Sequence, residues 1–352
     1  MSEFLCAVLQ AAREIIPLLA MREEHLLQAG AKGAGGDISI GADLLCEEIF
    51  TKHLSHIGHI DSEESGFIAA GLQNNKDFSD KAQTLSSRDL HQQVVAIHKS
   101  TQIDCHADKS ARNDKNLSKP AKDSGTSPSD SKIVELESGF FEPRKEIRLG
   151  CLSTQCGDEI HDSSPQAESP KQNEDSRATL TIVLDPLDGS DNYLSNIPYY
   201  GASLALCDGT GAVLEAAVVN FCSAQVIYDH SSAPHASRIH IFTQEHSPLA
   251  PAPAKCGVFE KAYSYPDIAR ELYVHKLKFR SLGASALSLA YALEHNFFLF
   301  CGAIRKYDAL AGLFLCRNLH IARGADFLLV SQNKQVFGMI EQILSKHHIK
   351  QI

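Results

Sequence analysis

Apolar residues recur at helical spacing near the start of the chain. Phe4, Leu5, Val8, Leu9, Ala12, Ile15, Ile16 and Leu19 fall on one face, and the spacing predicts an amphipathic helix. The run Lys32-Gly33-Ala34-Gly35-Gly36 must end it. Leu45, Ile49 and Leu54 predict a second helix, and Ile57-Gly58-His59-Ile60-Asp61 a short strand weakened by its glycine. From Ala178 onward the apolar pattern is denser. Runs at 180–184, 202–206, 213–219, 239–242 and 297–300 predict strands, with helices near 284–294 and 307–317. Strands and helices on both sides of a polar interior stretch predict one layered α/β domain interrupted by a loop.

That interior stretch, residues 71–177, is rich in Ser, Asp, Lys, Asn and Gln and carries Pro120, Pro128, Pro143, Pro165 and Pro170. Its apolar content is thin apart from Val94-Val95-Ala96-Ile97 and Phe140-Phe141. Such a segment buries too little surface to offset the entropy of ordering it. The expected organisation is a discontinuous domain, 1–70 with 178–352, around a low-complexity, largely disordered insertion at 71–177.

Composition narrows the function classes. The 352 residues suffice for one large domain or two ordinary ones, and 43% hydrophobic against 22% charged is ordinary for a globular protein. A net charge of −10 argues against nucleic acid or an anionic membrane as the main partner, since both need basic faces. It leaves room for a phosphorylated substrate only if metal cations stand between substrate and protein. No run of eighteen apolar residues appears, and the N-terminus lacks a basic leader. The ten cysteines include no CxxC pair, which reads as reduced thiols in a cytoplasmic setting. Cys151 and Cys156 could pair or bind metal, but lack a partner motif.

The segment richest in chemistry runs Thr181-Ile182-Val183-Leu184-Asp185-Pro186-Leu187-Asp188-Gly189-Ser190-Asp191-Asn192. An apolar strand leads into Asp185, and Pro186 and Gly189 are expected to turn the chain directly afterwards. Two carboxylates and the Leu187 carbonyl then offer the hard oxygens that Mg²⁺ requires. The free N–H groups of a turn or helix starting at Gly189-Ser190 would suit a phosphate. A bare Asp-x-x-Asp is more often a surface turn; the whole string behind an apolar strand is not. Three further acidic regions stand out. Asp61-Ser62-Glu63-Glu64 alone reads as a solvated loop, Asp37 and Asp43 as turn residues or helix caps, and Asp308 as a cap opening a buried helix.

Together these motifs resemble the inositol monophosphatase family, within the larger group of lithium-sensitive phosphatases that includes fructose-1,6-bisphosphatase. They occur in the family's order: Glu63-Glu64, then Asp185 to Asn192, then Arg280-Ser281-Leu282-Gly283-Ala284-Ser285-Ala286-Leu287, then Tyr307-Asp308-Ala309-Leu310-Ala311-Gly312. The resemblance covers about 1–66 and 178–330. It implies a layered αβαβα sandwich of the sugar-phosphatase type. It also implies that Glu63, Asp185 and the Leu187 carbonyl hold one Mg²⁺, and that Asp185, Asp188 and Asp308 hold a second. Asp43 with Ser190 would activate the attacking water, and Gly189, Ser190, Ser285 and Arg305 would contact substrate. The expected activity is hydrolysis of a small sugar or polyol phosphate, and a homodimer is expected from the resemblance alone.

Several positions depart from the family pattern. Asp191 stands where many relatives carry Ser or Thr, so it must point away from a bound phosphate or weaken its binding. Tyr307 replaces a tryptophan, and Cys301 stands where the animal enzymes have a glutamate against the inositol ring. Fructose 1,6-bisphosphate and phosphoadenosine nucleotides are therefore alternative substrates, and a catalytically weakened binding or regulatory protein is a rival of another class. Arg280 and Arg305 could contact a second phosphate or pair with carboxylates. His53, His56 and His59 read as helix-edge histidines rather than a metal face, and Asp208-Gly209-Thr210-Gly211 as a hairpin turn.

Overall fold

The computed structural model describes residues 1–71, 180–233, 235–249, 255–347 and 349. The insertion expected at 71–177 lies outside the described residues except for Gly71, as do Cys151 and Cys156. The first part of the chain forms α1 (Glu3–Met21), β1 (Ala29–Lys32), β2 (Ile38–Ile40), α2 (Gly41–Leu54), β3 (His59–Ser62) and β4 (Gly66–Ile68). The second begins with β5 (Thr181–Asp188), α3 (Ser190–Leu194), β6 (Gly201–Cys207), β7 (Val213–Asn220), β8 (Gln225–His230), β9 (Ser237–His240) and β10 (His246–Ser247). It continues through β11 (Cys256–Glu260), α4 (Pro266–Val274), β12 (Lys278–Arg280), α5 (Ser285–Ala290) and β13 (Phe298–Cys301). Last come α6 (Lys306–Leu315), β14 (His320–Arg323), β15 (Phe327–Ser331) and α7 (Lys334–Lys346).

Eight strands form one sheet in the order β10-β9-β8-β7-β6-β5-β3-β4, and five form another in the order β12-β11-β13-β15-β14. Strand alternation assigns each sheet two apolar faces. On β5, Ile182 and Leu184 join a core with α1 and α2, whereas Val183 joins Ala205, Val218, Leu287 and Leu315 on the opposite face. On β13, Phe298 and Phe300 face Leu289 and Cys316, whereas Leu299 packs with Leu272 and Ile340 beyond the second sheet. The layers therefore run α1/α2, eight-stranded sheet, α5/α6, five-stranded sheet, α4/α7. This is the αβαβα sandwich expected from the sequence.

Ser2 caps α1 by accepting the Leu5 N–H at 3.1 Å. The helix is long and apolar enough, by length and composition, to cross a membrane. Here ten of its side chains are buried against the first sheet and α2, so the apolar content is spent on the core. Of the three histidines read as helix-edge residues, His53 lies in the last turn of α2 and His56 just after it, whereas His59 is on β3. His53 and His56 face Glu14 and Glu3, and the His59 Nδ1 accepts the Ala70 N–H. Asp208 does close the β6–β7 hairpin, accepting the Thr210 N–H at 2.8 Å.

Candidate metal centre

The two carboxylates of the Asp-Pro-Leu-Asp string lie on β5, and their spacing poses a parity problem. Side chains three apart on a regular strand point to opposite faces. The pairing with β6 resolves it: Asp185 stands opposite Ser203 and Asp188 opposite Gly201, so β5 carries one residue more than its partner over this interval. The extra residue is a bulge, and it returns Asp188 to the side of Asp185. Pro186 lacks an N–H for the ladder and fits where pairing is interrupted. The sequence reading expected a turn directly after Asp185; the strand instead runs on to Asp188, and the chain turns at Gly189.

Asp308 joins them from the first turn of α6. Each of Asp185, Asp188 and Asp308 offers one carboxylate oxygen, and these oxygens lie within 4.8 Å of one another. All three residues are buried. The start of α6 is pinned in place by Tyr307, whose hydroxyl donates to Asp61 at 3.1 Å and whose carbonyl accepts from Ser203 at 3.0 Å, and by the Lys306–Asp61 ion pair. Asp188 is held from another direction, accepting the Leu287 N–H of α5 at 2.9 Å. Asp185 accepts the Leu187 N–H at 3.1 Å.

Burial, reinforced by Glu63, Asp188 and Asp308, pushes Asp185 well above the ordinary carboxylate range. Asp188 is raised in the same way by burial and Asp308. Crowded buried carboxylates resist ionising together unless a proton or a cation stands among them. A set of hard oxygens in a dry pocket suits a divalent metal of the Mg²⁺ type. The donor set fits a metal ion.

Glu63 follows β3, its N–H bonded to the Leu184 carbonyl at 2.9 Å, so parallel pairing carries it beside Asp185. Burial lifts its pKa to about 7 against the opposing pull of Arg305. The glycine-rich turn between β1 and β2 lies directly over it. Gly35 donates to the Glu63 carbonyl, and a Cβ at Gly35 would come within 2.5 Å of the Glu63 side chain.

Asp43 stands in the first turn of α2 and accepts the Ile40 N–H at 2.6 Å, the capping role its position suggests. It has other acidic groups nearby as well. Burial, with Glu64, Glu63 and Asp191 nearby, lifts its pKa to about 7 against the Ile40 hydrogen bond.

Gly189 has φ +87° and closes the approach to α3, whose first residue is the half-buried Ser190; Asp191 is exposed. Asn192 ties this turn to the next motif, donating to the Tyr199 and Leu282 carbonyls at 2.8 and 2.7 Å. Ser285 opens α5 beside it, half-buried.

Arg305, expected to contact substrate, is engaged with carboxylates. Its Nε donates to Asp308 at 2.9 Å, and one terminal nitrogen reaches both Asp37, at 2.8 Å, and Glu63. Of the two alternatives its sequence left open, the structure adopts pairing with carboxylates. Arg280 is exposed, one guanidinium nitrogen donating to the Phe279 carbonyl.

Sequence reasoning missed Glu260. This buried carboxylate ends β11 and accepts the Leu282 and Gly283 N–H groups and the Ser288 hydroxyl, at 3.3, 2.9 and 2.6 Å. It thereby secures the segment that leads into α5. The available signal was the one that flagged Asp185, an apolar run (Val258-Phe259) ending in an acid.

The inositol monophosphatase family profile matches residues 152–344. That span takes in Asp185, Asp188, Ser285, Arg305 and Asp308; Asp43 and Glu63 lie before it. Two solved structures align over nearly all of the chain. The extragenic suppressor protein suhB from Bartonella henselae is 15% identical over 98% of this chain and 99% of its own, with a TM-score of 0.56. The MJ0109 gene product, described as an inositol monophosphatase-fructose 1,6 bisphosphatase, is 13% identical over 95% of each chain, with a TM-score of 0.52. At these identities the likeness is one of fold. No curated protein matches the chain.

Proposed function

This chain belongs to the inositol monophosphatase family, and from that premise we propose that it is a Mg²⁺-dependent phosphomonoesterase acting on a small sugar or polyol phosphate. The observation that carries the reading is the convergence of Asp185, Asp188 and Asp308, drawn from a strand and a distant helix into one buried acidic pocket.

Asp185, Asp188 and Asp308 would hold one cation, and Glu63, Asp185 and the Leu187 carbonyl another. Divalent ions so placed supply charge neutralisation for an incoming phosphate and acidify water. The remaining work falls to the chain itself. Asp43 accepts a proton from the attacking water through the Ser190 hydroxyl, and its pKa near 7 suits a general base at neutral pH. The backbone N–H groups of Gly189 and Ser190 hold phosphate oxygens. Ser285 lies at the substrate edge.

Substrate choice is tested with a panel of inositol phosphates, fructose 1,6-bisphosphate and phosphoadenosine nucleotides, followed by phosphate release with Mg²⁺ and with EDTA. Fructose 1,6-bisphosphate belongs in it because Cys301, which is buried on β13, supplies no carboxylate for an inositol ring. The expected result is turnover that EDTA abolishes, lithium inhibits and Asp185→Asn removes without unfolding the chain. Full activity in EDTA would overturn the reading. Mg²⁺ binding without turnover of any panel member would favour a binding protein.

A further inference from the structure

Arg305 is the one cationic side chain that reaches into the acidic centre through more than one of its carboxylates among the described contacts. Its acceptors are Asp308, Glu63 and Asp37. Glu63 and Asp308 are also two of the carboxylates that the phosphatase reading assigns to the cations. A guanidinium keeps its charge at any pH a protein survives, so it cannot yield to an incoming cation by losing a proton. It must share those carboxylates against like-charge repulsion, or move.

The structure provides somewhere to move. Arg305 precedes α6 in extended conformation, and its side chain is 36% exposed, so it is not locked in the core. Asp37, its third partner, lies between β1 and β2 and is 82% exposed. It can keep hold of the guanidinium at the mouth while the inner carboxylates are released. Burial works against the Arg305 charge, yet Asp308, Glu63 and Asp185 outweigh it and raise its pKa.

We infer that Arg305 is an exchangeable counter-cation: it neutralises Glu63 and Asp308 until divalent cations displace it outward toward Asp37. The inference rests on the phosphatase reading. Two consequences follow. Cation affinity is set below what the carboxylates alone would give, so occupancy responds to the free Mg²⁺ concentration. The displaced guanidinium arrives at the mouth of the site in step with the metal, where it favours substrates bearing a second anionic group.

The test is Mg²⁺ titration calorimetry on the full chain without substrate, comparing wild type, Arg305→Gln and Arg305→Lys, with melting temperatures in EDTA and in saturating Mg²⁺. Arg305→Gln should bind Mg²⁺ about tenfold more tightly or better, within the usual span of coupling between linked sites. Arg305→Lys, a point charge that cannot fork across the same acceptors, should fall between it and wild type. In EDTA the glutamine variant should melt below wild type, and the gap should close in Mg²⁺. Unchanged or weaker Mg²⁺ binding by Arg305→Gln would overturn the inference and leave Arg305 an ordinary ion-pair partner. If the glutamine variant fails to fold, unchanged or weaker binding by the lysine variant overturns it equally. If wild type binds no Mg²⁺ at all, the phosphatase reading falls first and the exchange falls with it.

Discussion

A Cβ at Gly189 would lie 3.0 Å from both the Ala284 Cβ and the Tyr199 carbonyl, in a backbone at φ +87°. Gly36 offers a control, since its φ is +101° but nothing lies within 4 Å of its imagined Cβ. Gly36→Ala should therefore cost only the backbone penalty, about 1 kcal/mol. Gly189→Ala adds a steric clash at the junction of two motifs and should cost roughly 2–3 kcal/mol. Urea denaturation of both variants checks this, and equal losses would contradict it. Asp43 separates two roles in the same manner. Asparagine keeps an oxygen for the Ile40 N–H but cannot accept the proton of an attacking water. Asp43→Asn should hold the melting temperature while kcat falls by about 10²-fold or more. Asp43→Ala should lose both.

At the level of elements, the catalytic string is held by the segment leading into α5 as much as by its own strand. Glu260 secures Leu282, Gly283 and Ser288, and the helix they open presents the Leu287 N–H to Asp188. Glu260→Ala strands three donors and should destabilise the fold by about 2–4 kcal/mol. Glu260→Gln retains an acceptor of the same shape, so its stability loss should be smaller while kcat still drops, because the orientation of Asp188 loosens. A glutamine variant with wild-type kcat would show that Glu260 serves the fold alone. Elements of this kind were only partly legible in the sequence. α1 was plain because its apolar positions repeat over five turns, and β5 was plain as far as Leu184. The continuation through the bulge was hidden, since Pro186 and Gly189 signal a stop by local rules and only pairing with β6 shows otherwise. β1, β2, β4, β8, β10, β11, β12, β14, β15, α4 and α7 drew no assignment; β12 and β14 mix apolar and polar positions, and their order becomes evident only once β11, β13 and β15 lie between them. The acidic ligands were legible as motifs, whereas the engagement of Arg305 with them depends on contacts across more than 240 positions of chain.

For the whole molecule, one group of acidic residues lies where ionising it costs most. Burial pushes Asp43 and Glu63 up to about 7, and it raises Asp185 and Asp188 well above their ordinary values as well. Their unfolded values lie near 4. Between the two, the folded chain binds more protons than the unfolded one, so stability falls as pH rises. The contribution is complete below about pH 4 and is lost as pH passes through 7. In EDTA the melting temperature should accordingly drop between pH 5 and pH 8, by more than the remaining surface carboxylates would produce. Mg²⁺ should flatten that slope, because a cation does for the ionised carboxylates what protons do in its absence. Calorimetry near pH 6.5 in buffers of different ionisation enthalpy should record proton release as Mg²⁺ binds. A melting temperature in EDTA that stays level over this range would contradict this, since the buried carboxylates would then bind no more protons in the folded chain than in the unfolded one.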